Sequence, residues 1–287
     1  MPSNASSAPP IALQSGGRRP ISTLPVVIGA GDELQGRRVD ESWLLFFFVG
    51  LLAQLVDGAL GMAFGVTATT VMLSFGTAPA QASAMVHIAE IFTTAASGAS
   101  HWWHRNVDWT IVRRIAIPGT IGGILGATLL SNVDGKVIAP FVMVYLALMG
   151  VLILARAIRK FTTVEPTQRG MLVVGFSGGV LDAVGGGGWG PIVTSTLVGA
   201  GHVPRYVVGS VNLTEFFVTL ATSATFIVTL GLADLAPVIP LVFGGLVSAP
   251  FAGYLVKIVS NRLLMLMVGS LILALSARTL VRMAGLL

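Results

Sequence analysis

The sequence predicts an all-α polytopic membrane protein built as two inverted repeats. Each repeat has a short broken or re-entrant helix pair and three transmembrane helices. Three observations predict this. First, 54% of the 287 residues are hydrophobic and only 10% are charged, against about 25% charged in an average soluble domain. Mean hydropathy is +0.86. A soluble surface needs more charge than this, and so apolar a chain does not stay unfolded. Second, apolar stretches follow one another from Trp43 to the end. Third, the acidic residues inside those stretches recur at one fixed spacing.

That spacing is 125 residues: it separates Asp57 from Asp182, Gly61 from Gly186, Gly65 from Gly190, Pro79 from Pro204 and Glu90 from Glu215. Phe64 and Trp189 obey it too, aromatic for aromatic. The identities include all four acidic residues within apolar segments, so chance is a poor account of them. The chain reads as two copies of one unit.

Taken in order, residues 1–41 hold five of the 14 prolines, eight charges and no sustained apolar period. They are expected to form a disordered tail. Membrane repeat 1 is placed at 42–160, a cytoplasmic linker at 161–169 and membrane repeat 2 at 170–287. The apolar segments fall near 42–57, 60–76, 80–101, 112–131, 137–157, 170–182, 189–200, 206–230, 236–256 and 263–284. A crossing needs about 20 residues. Four segments are shorter, and they form two adjacent pairs joined by glycine-rich sequence.

Loop charge suggests the orientation. HWWHRNVDW (101–109), running into Arg113 and Arg114, is basic, whereas the matching loop TLGLADLAPV has no basic residue. The positive-inside rule puts the first in the cytoplasm and the second outside, and opposite placement of matching loops means an inverted repeat. The linker basics Arg156, Arg159, Lys160 and Arg169 agree. The tail basics Arg18, Arg19, Arg37 and Arg38 conflict with a tail held outside, as re-entrant hairpins require; a single broken crossing would put it inside.

Two glycine-rich turns carry the chemistry: VDGALGMAFGV (56–66) and LDAVGGGGWGP (181–191). Four consecutive glycines cannot continue a good helix. They end one half-helix and begin another, whose free N–H groups and positive dipole end suit an anion. In lipid, such irregular backbone needs a protein or water-filled surround. The candidate binding residues are therefore Gly61, Gly65, Gly185, Gly186, Gly187, Gly188, Trp189, Gly190 and Asn212. The plainer alternative is that the glycines permit close helix packing.

Asp57 and Asp182 flank these turns, and a carboxylate at bilayer depth costs roughly 2.5–3.5 kcal/mol. Each is read either as a protonatable coupling site or as a cap that accepts turn N–H bonds. Glu90 and Glu215 lie in MVHIAEIFTTA and GSVNLTEFFVT, each with a polar residue three positions earlier, His87 and Asn212. Positions i and i+3 share a helix face. With Asp57, Asp182 and His87 these glutamates form a candidate proton-coupling or cavity set, or else interhelical hydrogen bonds. Trp189 either gates the cavity or packs. Arg205 is a candidate entrance residue, or an orienting loop charge. Trp102, Trp103 and Trp109 read as an interfacial aromatic belt.

Zero cysteines exclude disulfides, thiolate metal sites and a cysteine nucleophile. No metal and no cofactor is expected. The net charge of +5 and pI near 10.2 fit loop charges that orient helices rather than nucleic-acid binding. GFSG (175–178) resembles a rhomboid-type serine motif, but the only downstream histidine is His202, in an expected loop, and position 52 in the first copy is Leu52. An intramembrane protease is therefore the remote alternative.

LDAVGGGGWGPIVTSTL followed by GSVNLTEFFVT resembles the TauE/SafE family of sulfite exporters and related anion transporters, over roughly residues 42–285. The first copy departs from the glycine triplet, with Gly61, Met62, Ala63, Phe64 and Gly65. The resemblance implies a multi-pass carrier of the bacterial inner membrane, with sulfite, a sulfonate or another organosulfur anion as substrate and export as its direction. The expected function is proton-coupled alternating access, with an uncoupled anion channel or uniporter as the rival. The expected partners are the small anion and the lipid bilayer.

Overall fold

The computed structural model describes residues 30–158, 168–232, 234–258 and 260–286. Residues 1–29 of the expected tail and 161–167 of the expected linker lie outside them. The elements are α1 (Ala30–Leu60), α2 (Phe64–Ser74), α3 (Pro79–Trp103), α4 (Trp109–Ser131), α5 (Gly135–Ile158) and α6 (Gln168–Gly185). Next come a π-helical turn (Gly190–Thr194) continuing as α7 (Ser195–Gly199), then α8 (Pro204–Leu230) and α9 (Val238–Ser248). A 3₁₀ turn (Ala249–Phe251), α10 (Ala252–Ile258) and α11 (Asn261–Met283) complete the chain. There is no strand among the described residues.

The helices match the apolar segments, with three differences. Helix α1 begins at Ala30, inside the stretch expected to be a structureless tail. The segment at 236–256 holds one span, Val238–Leu255, but not a uniform α-helix. It tightens to a 3₁₀ turn at Ala249–Phe251, where Pro250 has no N–H to extend the ladder and its carbonyl accepts the Ser100 hydroxyl at 2.6 Å. Among the described residues, the six helices long and apolar enough to span include Trp43–Leu60 but not α3. Helix α3 has 25 residues, enough for about 37 Å at 1.5 Å per residue. Its hydropathy is lowered by a polar stripe: His87, Glu90, Thr93, Thr94, Ser97 and His101 are all buried in the protein.

Close helix approach rests on glycine, as expected where small residues replace the hydrophobic drive between lipid-embedded helices. Helix α4 runs parallel to α6. A Cβ on Gly122 would strike the backbone of Phe176 and Val180, and one on Gly179 the backbone of Gly119 and Gly123. Helix α1 runs parallel to α9 in the same manner, with Gly244 against the backbone of Phe47 and Leu51. In the 125-residue register α1 matches α6 and α9 matches α4, so each copy's first helix packs on the other copy's fourth. Helices α3 and α8, also counterparts, run antiparallel: Ser97 donates to Asn212 Oδ1 at 2.7 Å, while His87 meets the Phe226 ring at 5.9 Å.

Helices α1 and α2 form a hairpin. Phe46, near the start of the Trp43–Leu60 span of α1, and Phe75, just past α2, have ring centroids 6.3 Å apart, so α2 returns toward the level from which the span starts. Met171 of α6 and Leu197 of α7 likewise share one apolar cluster. Between the arms of each hairpin lies a glycine turn.

Candidate substrate site between two glycine turns

The two turns are local copies. Asp57 Oδ1 accepts the N–H groups of Ala63 at 2.9 Å and Phe64 at 3.4 Å. Asp182 Oδ1 accepts those of Gly188 at 2.8 Å and Trp189 at 3.0 Å. Both aspartates cap the half-helix that follows, answering its orphan donors. Gly61 and Gly186 sit at φ +63° and +64°, backbone that glycine adopts at little cost.

The turns also hold each other. The Thr69 hydroxyl donates to the Gly186 carbonyl, and the Thr194 hydroxyl donates to the Gly61 carbonyl at 2.8 Å. Thr69 and Thr194 are themselves 125 apart, so the contact is reciprocal. A Cβ on Gly187 would collide with the backbone of Gly65 and Val66, and one on Gly190 with Gly61 and Met62. In this conformation, then, the glycines let one turn's backbone lie against the other's. The packing role of Gly65, Gly187 and Gly190 is realised here, and the room expected for a ligand is occupied by peptide.

What remains between the turns is a void of about 10 Å³, room for one water molecule. Gly65, Gly187, Gly188 and Gly190 line it, with all four acidic residues, Asp57, Glu90, Asp182 and Glu215. These carboxylates are 3%, 1%, 1% and 5% exposed. Met62, Ala63, Val66 and Pro191 complete the wall. Larger clefts of about 680 and 660 Å³ lie at the far end of α2, both bordering Phe75–Ala78, away from the buried carboxylates.

Several predicted residues stand outside the wall. Gly61 and Gly186 act through their carbonyls as described. Gly185 lies against the Tyr145 ring, and the Tyr145 hydroxyl donates to the Gly187 carbonyl at 3.3 Å. The Trp189 ring packs: it is fully buried beside Gly119 and Gly178, and its Nε1 donates to the Val211 carbonyl at 3.2 Å. Asn212 is a packing bond, tied to Ser97 and to the Val208 carbonyl. His87 binds Asp182 at 3.2 Å. Arg205 is far from the void, at the first turn of α8, stacked 4.5 Å over the half-buried Tyr206 ring.

The expected free amides are only partly free, because the aspartates take the first two of each half-helix. The N–H groups of Gly65, Val66 and Gly190 find no acceptor among the described residues. Asp57 Oδ2, Glu90 Oε2 and Glu215 Oε2 are likewise buried and without a hydrogen-bond partner. No group of three or more His, Asp or Glu that could hold a metal ion occurs among the described residues.

The Ser177 hydroxyl of GFSG donates to the Val173 carbonyl of its own helix at 2.8 Å, the usual habit of a serine inside an apolar helix.

The sequence pattern of the family described as Sulfite exporter TauE/SafE matches residues 46–279. The chain belongs to the TauE/SafE family. A curated relative from Bacillus subtilis (strain 168), named "Probable membrane transporter protein YtnM", is 42% identical over 247 residues, covering 83% of this chain and 82% of its own length. No solved structure matches the chain. Family, relative and six apolar spans together make this TauE/SafE member a multi-pass membrane transporter and not an enzyme. The protease reading of Ser177 is dropped.

Proposed function

We propose that the protein is a secondary transporter of small sulfur-containing anions: sulfite, a sulfonate or a related organosulfur compound. It works by alternating access in a bacterial inner membrane, exports its substrate and is driven by the proton gradient. The observation that carries this reading is the buried meeting of two interrupted helices, where unpaired amides and carboxylates line one void. The family's description supports the sulfur oxyanion as substrate.

An inverted repeat would support alternating access. The reciprocal Thr69–Gly186 and Thr194–Gly61 bonds, the antiparallel pair α3 and α8, and the exchanged packing of α1 on α9 and α6 on α4 fit two copies of opposite orientation. Two such halves can rock around a fixed midpoint. A sulfur oxyanion is larger than one water, so the turns must part to admit it. The closed void favours this over an open channel. Asp57, Glu90, Asp182 and Glu215 are the candidate proton carriers.

The test is uptake of a small panel of sulfur oxyanions by the purified protein in lipid vesicles. Accumulation against a gradient that collapses with a protonophore supports the coupled carrier. Flux that ignores pH and follows only the anion's own gradient makes it a uniporter. No flux of any sulfur oxyanion removes the substrate class.

A further inference from the structure

We infer that Ser83 and His101 are positioning residues for transport: from the two ends of α3 they hold the last turns of both interrupted helices, and so fix where the two glycine turns meet. This deepens the transporter reading and rests on it. Gly58 and Ala183 are 125 residues apart, each in the last turn of its helix, α1 or α6. Each directly follows the aspartate that caps the next half-helix. Their carbonyls are among those that a helix end leaves without an intrahelical partner. His101 Nε2 lies 3.2 Å from the Gly58 carbonyl oxygen, and the Ser83 hydroxyl donates to the Ala183 carbonyl at 2.6 Å. Ser83 and His101 are both buried and stand about 27 Å apart along α3.

The neighbours of His101 fix its tautomer. A carbonyl only accepts, so Nε2 carries a hydrogen and donates it to Gly58. The Asn106 amide nitrogen donates to the Gly253 carbonyl at 3.0 Å and also faces His101 Nδ1 at 3.4 Å. Nδ1 therefore meets a donor and serves as the acceptor, which keeps the ring's hydrogen on the α1 side.

The hold is one-sided. In the 125-residue register the α8 counterparts of Ser83 and His101 are Val208 and Phe226, which have no side-chain donor. Among the described residues no α8 side chain hydrogen-bonds to α1 or α6. Helix α3 alone braces both, and His87 adds a tie to Asp182 at 3.2 Å. Removing either donor leaves a buried carbonyl unsatisfied and frees that helix end from the brace.

The experiment measures the spacing of α1 and α6 in the full-length protein in lipid vesicles. The chain has no cysteine, so Leu52→Cys and Val173→Cys, at exposed positions on α1 and α6, carry the only two spin labels. Their distance is read by double electron–electron resonance. His101→Phe and Ser83→Val, which copy the α8 residues, are each expected to raise a second distance population above about 10%, beyond the usual share of a minor state. His101→Gln and Ser83→Thr keep a donor and are expected to restore the single distance. Ser83→Val with Ser83→Thr carries the test should His101→Phe not fold. The unaltered distance in both His101→Phe and Ser83→Val overturns the brace. So does an equal second population in the donor-keeping variants, which would make the effect one of packing. No substrate is used, so this failure leaves the transporter reading in place, whereas absence of flux in the vesicle uptake assay strikes that reading and leaves the measured spacing as it is.

Discussion

His87 Nε2 lies 3.2 Å from Asp182 Oδ2 and joins α3 to the second glycine turn. The partners assign the protons. Ser83 donates its hydroxyl to the Ala183 carbonyl at 2.6 Å, so it cannot also donate to the ring. His87 Nδ1, 2.8 Å from the Ser83 carbonyl, must therefore carry a hydrogen and donate it. Nε2 faces Asp182 Oδ2, while Asp182 Oδ1 accepts two backbone amides. The pair is a buried, fully engaged link with no counterpart in the other copy, where Asn212 turns to Ser97 instead.

Replacing His87 with alanine leaves the Asp182 carboxylate buried and half-paired. Breaking such a pair costs about 3–5 kcal/mol. Thermal unfolding in detergent should show a large drop in midpoint for His87→Ala and a smaller one for His87→Asn, which keeps a hydrogen-bond donor. A change in His87→Ala of less than about 1 kcal/mol would mean that the pair does not support the turn.

Gly187→Ala and Gly76→Ala separate crowding from backbone strain. Both glycines have positive φ, +151° and +90°, but a Cβ at 76 meets nothing within 4 Å while one at 187 meets the backbone of Gly65 and Val66. Gly76→Ala should cost about 1–3 kcal/mol in stability and leave initial transport rates within about two-fold, the size of effect expected away from the site. Gly187→Ala should cut initial vesicle uptake at least about ten-fold even where folded protein is recovered. Equal rates in the two variants would show that the turn contact is unimportant.

Gly179→Leu tests the helix seam. Its Cβ would collide with the Gly119 carbonyl across the α4–α6 contact. Overpacking of this kind typically costs about 1–3 kcal/mol and occasionally more. The expected result is loss of monodisperse protein on size exclusion, with an intact yield for Ser177→Ala as the comparison.

Ser177→Ala removes only a hydroxyl that bonds back to Val173. It should change stability by no more than about 0.5 kcal/mol and leave vesicle uptake unchanged. A loss of uptake would give the serine a role that its present bond does not.

The fold was largely legible because lipid enforces a simple rule: backbone polar groups must be satisfied within each span, so apolar runs become helices. Hence α4, α5, α8 and α11 end within three residues of their apolar segments. Helix α3 also formed despite its polar stripe, since that stripe faces protein. The register of 125 exposed the two turns and their aspartates, and read further it would have exposed Thr69 and Thr194 too. What the sequence hid was tertiary. Nothing local says that Trp189 packs against Gly119, that Asn212 bonds Ser97, or that the glycines of one turn are filled by the backbone of the other. The 3₁₀ turn at Pro250 was visible as a proline but lay inside a convincing apolar run. Capping by Asp57 and Asp182 was one of two open readings, and its hydrogen bonds are visible only in the distances to Ala63, Phe64, Gly188 and Trp189.

The contact of Gly65 with Gly187 has one further consequence. With peptide pressed on peptide and room for a single water molecule, the resting protein insulates the bilayer. No continuous file of solvent leads ions through this point. Under the proposed alternating access, each turnover would pry the two backbones apart and let them reseal, so the speed of such a carrier would be capped by that mechanical cycle, on the microsecond-to-millisecond scale typical of such gates, however tightly the solute is held.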